Sequence, residues 1–130
     1  MATVRGGNET ILLVEDEEFL RESAAKVLSQ LGYRVFEAAN GNEALDIWKR
    51  RRDEIKLLLT DLVMPGGMTG MDLGGRLLKE NPKLKVIYIS GYSAEIAGKD
   101  FPLEEGVDFL TKPFASRKLA QTVRNSLDNI

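Results

Sequence analysis

Ile55–Thr60, with the sequence IKLLLT, runs directly into Asp61, and this junction is the most informative part of the chain. The run is short, mostly apolar and ends at an acid, as a strand buried on both faces of a parallel sheet does. Thr10–Val14, TILLV, has the same character and stops at Glu15-Asp16. Two such strands predict an α/β protein whose chemistry lies at the carboxyl edge of a sheet.

Helical and strand patterns alternate along the rest of the chain. Helical spacing from Phe19 to Leu31 predicts a helix that Gly32 is placed to close. Its apolar side is predicted to consist of Phe19, Leu20, Ala24, Val27, Leu28 and Leu31. The region Ala94–Glu105 contains a glycine and a proline, so we expect a short or irregular fourth helix there. The other predicted strands are Tyr33–Ala38, Lys85–Ser90 and Val107–Thr111, and the other helices are Asn40–Arg52, Met71–Glu80 and Ser116–Ile130, the last with Ser116 as N-cap.

Five strands alternating with about five helices predict a flavodoxin-like, doubly wound parallel sheet with strand order 2-1-3-4-5. No repeat, linker or low-complexity tract divides the chain, so residues 1–130 are expected to form one domain. Residues 1–8 are polar and contain two glycines, and we expect this segment to be frayed.

The composition excludes several classes of chemistry. The chain has no cysteine and no histidine, and therefore no disulfide, no thiolate nucleophile, no Ser-His-Asp triad and few ligands for transition metals. Its net charge is -2, and its run of basic residues, Lys49–Arg52, stands at the predicted end of a helix, where cations are favourable, so we expect no direct nucleic-acid binding. No apolar stretch could span a bilayer and no signal peptide is recognisable, so a cytoplasmic domain without membrane contact is expected.

Three acids, a hydroxyl and an amine follow four of the predicted strands, where ligands of open parallel sheets bind. They are Glu15, Asp16, Asp61, Ser90 and Lys112. Crowded carboxylates remain ionised only when a cation compensates them, and hard oxygen ligands without histidine favour Mg²⁺. Lysine and serine suit the oxygens of a phosphoryl group, and a carboxylate beside a metal can act as a nucleophile.

From about residue 10 to about residue 127, the chain resembles the receiver domains of two-component signalling systems. The resemblance is carried by the family's acidic pair, D-x-x-M-P motif, Ser/Thr position and K-P-F motif, which match Glu15-Asp16, Asp61-Leu62-Val63-Met64-Pro65, Ser90 and Lys112-Pro113-Phe114. Each motif alone would occur by chance, whereas all of them in order, each at a strand end, are specific.

The resemblance implies a role for each of these residues. Asp61 would be the phospho-acceptor, Lys112 would contact the acyl phosphate, and Ser90 would swing toward it. Mg²⁺ would be the cofactor, with ligands from Glu15, Asp16, Asp61 and the backbone carbonyl of Val63.

The resemblance also implies roles for positions around the acceptor. Phe109 would occupy the switch position, where many members carry tyrosine, although phenylalanine has no hydroxyl for a hydrogen bond. Val63 and Tyr92 would flank the path of the hydrolytic water and tune the lifetime of the phosphoryl group. The Lys112-Pro113 peptide would be cis, which only X-Pro bonds tolerate at low cost.

The partners implied are a histidine kinase or a histidine phosphotransfer domain. The longer loop Pro65–Met68, the segment Asn8–Leu12 and Ser90–Ser93 resemble receivers attached to hybrid sensor histidine kinases. We therefore expect a single-domain regulator or the receiver portion of such a kinase. The fourth helix, fifth strand and last helix would form the output face and could support a homodimer.

Other functions are less compatible with these residues. An aspartyl-nucleophile phosphatase typically has a second acid two residues after the nucleophile, where this chain has Val63. A pure interaction module with a dead site would not need the intact set of polar residues. No G-x-x-x-x-G-K-[ST] sequence is present, which excludes a P-loop. Two simpler roles remain open, namely Ser90 as a turn cap and Phe109 as an ordinary core residue. We thus expect no enzymatic activity beyond Mg²⁺-dependent self-phosphorylation and self-dephosphorylation at Asp61.

Overall fold

The computed structural model describes residues 5–64, 66–91 and 108–129. The strands are β1 (Thr10–Val14), β2 (Arg34–Ala38), β3 (Ile55–Asp61), β4 (Lys85–Ser90) and β5 (Phe109–Thr111), and the helices are α1 (Glu18–Gln30), α2 (Gly41–Arg51), α3 (Gly70–Glu80) and α4 (Ser116–Asp128). All neighbouring strands are parallel, and their order is β2-β1-β3-β4-β5. The predicted doubly wound sheet is confirmed, while the irregular helix expected at 94–105 lies outside the described residues.

Each face of the sheet has its own apolar core. On β1, Ile11 and Leu13 face the core shared with α1 and α4, whereas Leu12 and Val14 face the core shared with α2 and α3. All four side chains are fully buried. This two-sided burial explains why the central strands are continuous apolar runs rather than alternating patterns. Within the described residues, no helix is long and apolar enough to cross a bilayer.

Local signals explain where two of the helices begin and one ends. The Asn40 side chain accepts a hydrogen bond from the Glu43 amide at 2.9 Å, as an N-cap does. Thr69 and Asp72 exchange side-chain and backbone hydrogen bonds in a capping box at the start of α3. Gly32 follows α1 with φ of 100°, a left-handed conformation that glycine adopts at low cost.

Two predictions about helical side chains are wrong. Ser116 is the first residue of α4 rather than its N-cap, because the chain is already helical there and extended only at Ala115. Phe19 does not pack on the core and is 78% exposed. It precedes Leu28 by nine residues, and at 3.6 residues per turn this places the two side chains on opposite sides of α1.

An arginine joins the chain segment before β1 to the last helix at the amino edge of the sheet. The Arg124 side chain is 10% exposed. Its guanidinium donates hydrogen bonds to Glu9 Oε2 at 2.8 Å, Asp128 Oδ1 at 2.8 Å, the Gly6 carbonyl at 3.2 Å and the Tyr33 hydroxyl at 3.3 Å. The Gly7 amide donates to the Leu31 carbonyl at 3.1 Å. Fraying is expected for the segment 1–8, of which the structure describes residues 5–8. Two of these residues, Gly6 and Gly7, take part in the contacts given above.

Candidate functional site

The parallel strands bring the predicted polar residues to one edge of the sheet. Asp61 is the last residue of β3, and Glu15 and Asp16 directly follow β1. Carboxylate oxygens of these three acids lie within 4.8 Å of one another. Lys112, which follows β5, places its Nζ 2.9 Å from Glu15 Oε1 and 3.1 Å from Asp61 Oδ1. Residues from three separate strands therefore meet in one cluster.

Burial changes the pKa values of the acids in the cluster. Glu15 and Asp61 are each 3% exposed, whereas Asp16 is exposed. Burial, followed by the adjacent Glu15 carboxyl group, raises the pKa of Asp61 to about 8 despite the opposing attraction of the Lys112 ammonium. Burial acts in the same direction on Glu15, but its contacts with Asp61 and Lys112 outweigh this effect and lower its pKa. Without a further cation, the protein therefore disfavours ionising both buried acids at once.

The donor set fits a hard cation. Within the described residues, Asp61 Oδ1 is a buried oxygen without a hydrogen bond of normal geometry, although Lys112 Nζ is close to it. Three carboxylates and no histidine are the ligand chemistry that Mg²⁺ prefers. A divalent cation would satisfy the orphaned oxygen and offset the repulsion between Glu15 and Asp61.

The backbone after β1 orients one of these acids in a way that no motif predicted. The Glu17 amide donates to Glu15 Oε2 at 3.1 Å, and Arg21 Nη1 donates to the Glu15 carbonyl at 2.9 Å. The only signal in the sequence is that Arg21 stands one turn into the helix that follows the acidic pair. These contacts fix Glu15 with its carboxylate toward Lys112.

The remaining predicted residues lie around the cluster. Ser90 is fully buried at the end of β4. Val63 is 69% exposed and lines an open depression of about 150 Å³ together with the exposed acid Asp16 and with Asp61. Phe109 is half-buried in a small apolar cluster with Leu62 and Tyr88, on the same side of the sheet as α3.

Two predicted features remain to be placed. The Lys112-Pro113 peptide is cis, as predicted. Tyr92 lies outside the described residues.

Known proteins resemble this chain over nearly its whole length. A family model described as response regulator receiver domain matches residues 11–124. The chain is 39% identical over 127 residues to the sensor kinase CckA of Brucella abortus (strain 2308), which covers 98% of this chain but only 13% of that kinase. It is 34% identical over 117 residues to the response regulator receiver protein CpdR of the same organism, covering 90% of this chain and 95% of CpdR.

Solved structures show the same fold. The receiver domain from the hybrid histidine kinase CckA superposes with a TM-score of 0.76 at 39% identity, covering 92% of this chain and 99% of that one. A response regulator receiver domain protein from Clostridium thermocellum gives a TM-score of 0.77 at 27% identity, with 92% and 94% covered. The chain therefore belongs to the response regulator receiver domain family of two-component systems, whose members accept a phosphoryl group.

Proposed function

We propose that Asp61 accepts a phosphoryl group from a phosphohistidine on a histidine kinase or a histidine phosphotransfer domain, with Mg²⁺ as cofactor. One observation carries the proposal: the carboxylates of Glu15, Asp16 and Asp61 lie within 4.8 Å of one another, and Lys112 Nζ contacts two of them. The cluster is acidic enough to hold a cation and has an amine ready for the phosphoryl oxygens.

The reaction requires little of the protein beyond position and charge. An Asp61 carboxylate oxygen attacks phosphorus as the P–N bond to the donor imidazole breaks, and the electron pair returns to the imidazole nitrogen. Lys112 and Ser90 would hold oxygens of the transferred group. Mg²⁺, when bound to Glu15, Asp16, Asp61 and the Val63 carbonyl, would neutralise the negative charge gathered there.

The acceptor is tested with a small phosphodonor such as acetyl phosphate, because no partner protein is then needed. We expect intact-mass spectrometry to show one Mg²⁺-dependent phosphoryl group on the wild type and none on Asp61→Asn. Asp46→Asn, which makes the same change on the exposed side of α2, should label like the wild type. Equal labelling of Asp61→Asn and wild type would exclude Asp61 as the acceptor.

Exposed apolar side chains around the acidic cluster support a protein donor. Within residues 5–64, 66–91 and 108–129, the large apolar side chains that are exposed are Phe19, Leu20 and Val63. The first two begin α1 after the acidic pair, and the third follows Asp61 by two positions. An apolar cleft of about 220 Å³ between α1 and α4 extends this surface. Apolar groups that border a polar site are typical of protein interaction surfaces.

The donor surface is tested by comparing two phosphodonors on one variant. Phe19→Ser should slow phosphoryl transfer from autophosphorylated histidine kinases, because a partner would lose an apolar contact. Transfer from acetyl phosphate should be unaffected, because a small molecule does not need this surface. Equal rates of wild type and Phe19→Ser with every kinase would contradict the proposed docking surface. Efficient transfer from the kinase core of the CckA relative would favour a role as a hybrid-kinase receiver.

We propose that output and dimerisation use the surface of β5 and α4 together with residues 94–105, where the sequence predicts a short or irregular helix. Ser90 is buried at the end of β4, and Phe109 is half-buried on the adjacent strand β5, where it pairs with Tyr88. A phosphoryl group on Asp61 would change the contacts of Ser90 and, through β4 and β5, those of Phe109. Amide exchange should change on β5 and α4 when an acyl-phosphate mimic binds. Unchanged exchange on these elements would count against switching and against a phosphorylation-dependent homodimer.

We propose that the lifetime of the phosphoryl group on Asp61 depends on Val63 and Tyr92. The exposed Val63 side chain offers no hydrogen bond to a water that approaches the Asp61 depression. Replacing Val63 by Asn together with Tyr92 by Ala should speed loss of the phosphoryl group without slowing its uptake, because positioning of water is a large part of phosphoryl-transfer catalysis. Single-turnover decay at the wild-type rate or slower would contradict this role.

A further inference from the structure

The first residue of α3 rests on the backbone of the proposed phospho-acceptor. A Cβ atom on Gly70 would lie 1.9 Å from the Asp61 carbonyl oxygen and 3.0 Å from the Leu62 Cα. The Gly70 amide donates a hydrogen bond to the Leu62 carbonyl at 2.8 Å. Carbon atoms make favourable contacts only beyond about 3.5 Å, so no residue with a side chain fits this position without moving the backbone.

Separate contacts keep the start of α3 where it is. The capping box between Thr69 and Asp72 holds the first turn through hydrogen bonds of 3.0 and 3.1 Å. The preceding Met68 side chain lies over the start of α2, where a Cβ on Gly41 would be 2.5 Å from the Met68 sulfur. The start of α3 therefore has its own hydrogen bonds and a contact with α2, in addition to the close approach of Gly70 to β3.

We propose that Gly70 is a positioning residue for phosphoryl transfer. By letting α3 approach β3 this closely, it sets the location of the Asp61 backbone and hence the reach of its carboxylate toward Asp16 and Lys112. The inference rests on the proposed function of Asp61. It concerns a residue that contacts neither metal nor phosphoryl group and acts only through the acceptor's main chain.

The expected effect follows from the geometry. A side chain at position 70 would force α3 and the end of β3 apart by about 1 Å or more, since carbon and oxygen cannot remain 1.9 Å apart. A displacement of about 1 Å in a reacting group can cost about 100-fold in rate. We therefore expect Gly70→Ala to lower the rate of uptake from acetyl phosphate by about 10-fold to 100-fold and to weaken Mg²⁺ binding.

The same helix supplies a matched control. A Cβ added at position 75 would meet no other atom within 4 Å. Gly75→Ala therefore makes the identical chemical change in open space. This variant should retain the wild-type uptake rate and Mg²⁺ affinity and should be slightly more stable, because alanine favours helix. It also provides a stabilised background in which Gly70→Ala is made.

The experiment compares wild type, Gly75→Ala and the Gly70→Ala/Gly75→Ala double variant below their melting temperatures, with folding checked by circular dichroism. Mg²⁺ affinity is read from the amide chemical shifts of Asp61 and Leu62, and uptake from intact mass. A folded double variant with lower rate and affinity supports the inference. A folded double variant with the wild-type uptake rate and Mg²⁺ affinity would overturn the inference. A double variant that cannot fold would also overturn it, because the contact of Gly70 would then serve folding rather than positioning. If the wild type itself takes up no phosphoryl group, the proposed function fails, while the Mg²⁺ titration still decides the role of Gly70.

Discussion

Replacing Asp61 by asparagine should stabilise the metal-free protein, and increasingly so as the pH rises. The pKa of Asp61 is raised to about 8 by burial and by Glu15, whereas an aspartate in the unfolded chain titrates near 3.9. The folded wild type therefore binds the proton more tightly than the unfolded chain. The stability that Asp61 itself contributes is therefore fully present below about pH 4, falls as the pH rises toward about 8, and changes no further above that. The asparagine variant has no such titration.

The change in the free energy of unfolding is limited because only one proton per molecule, that of Asp61, is involved. Stability can then fall by at most about 1.4 kcal/mol per pH unit, or about 2–3 kcal/mol between pH 5 and pH 7. Glu15 does not cancel this loss, because its pKa is lowered and its contribution is already complete above its ordinary value. We therefore expect Asp61→Asn to gain about 2–3 kcal/mol over the wild type across this interval.

Urea unfolding in EDTA at several pH values measures the difference directly, with Asp46→Asn as the control for a change of charge alone. Saturating Mg²⁺ should narrow the gap between wild type and Asp61→Asn, because the cation binds the ionised folded form. Free energies of unfolding for wild type and Asp61→Asn that stay parallel from pH 5 to pH 8 in EDTA would refute the reasoning.

Further outcomes follow from the described contacts. Gly74→Ala should destabilise the protein by about 1–2 kcal/mol in thermal melts, because an added Cβ would lie 2.2 Å from the buried Tyr88 hydroxyl, whereas Gly75→Ala should stabilise it by up to about 1 kcal/mol. Arg124→Met should cost about 2–3 kcal/mol near pH 7 by leaving Glu9 unpaired. Because the pKa of Glu9 is lowered chiefly by its hydrogen bond with Arg124, that cost should shrink in urea unfolding as the pH falls below about 4.5. Millimolar Mg²⁺ should raise the melting temperature of the wild type but not that of Asp16→Asn, and equal shifts would contradict the metal site.

The strands and the acidic edge were predictable because their signals are local. A run such as Thr10–Val14 can be buried on both faces only in the middle of a parallel sheet, and the order of such strands brings their carboxyl ends together. The motif at Asp61–Pro65 and the lysine before a proline then indicated which strand ends to expect in the site. Local pattern and tertiary position agree at these places.

The features that the sequence did not predict depend on distances between elements. In the sequence, Gly70 belongs to the loop before a helix and Gly74 resembles a helix-weakening residue, and only the structure shows Asp61 and Tyr88 at the positions their side chains would occupy. Phe19 has helical spacing relative to its neighbours, yet the core is centred on Leu28 across the helix. A periodic pattern gives the width of an apolar face but does not show where the sheet meets it.

The Arg124 network has a practical consequence for work with this domain. It joins the segment before β1 to the end of α4 at the amino edge of the sheet, whereas Asp61 stands at the carboxyl edge. A surface tether or a fluorophore attached near Arg5 or Asp128 would therefore be remote from the acidic cluster. An immobilised domain of this kind would present its proposed phospho-acceptor, Asp61, outward to partners flowing over it, which suits it to binding measurements on a sensor surface.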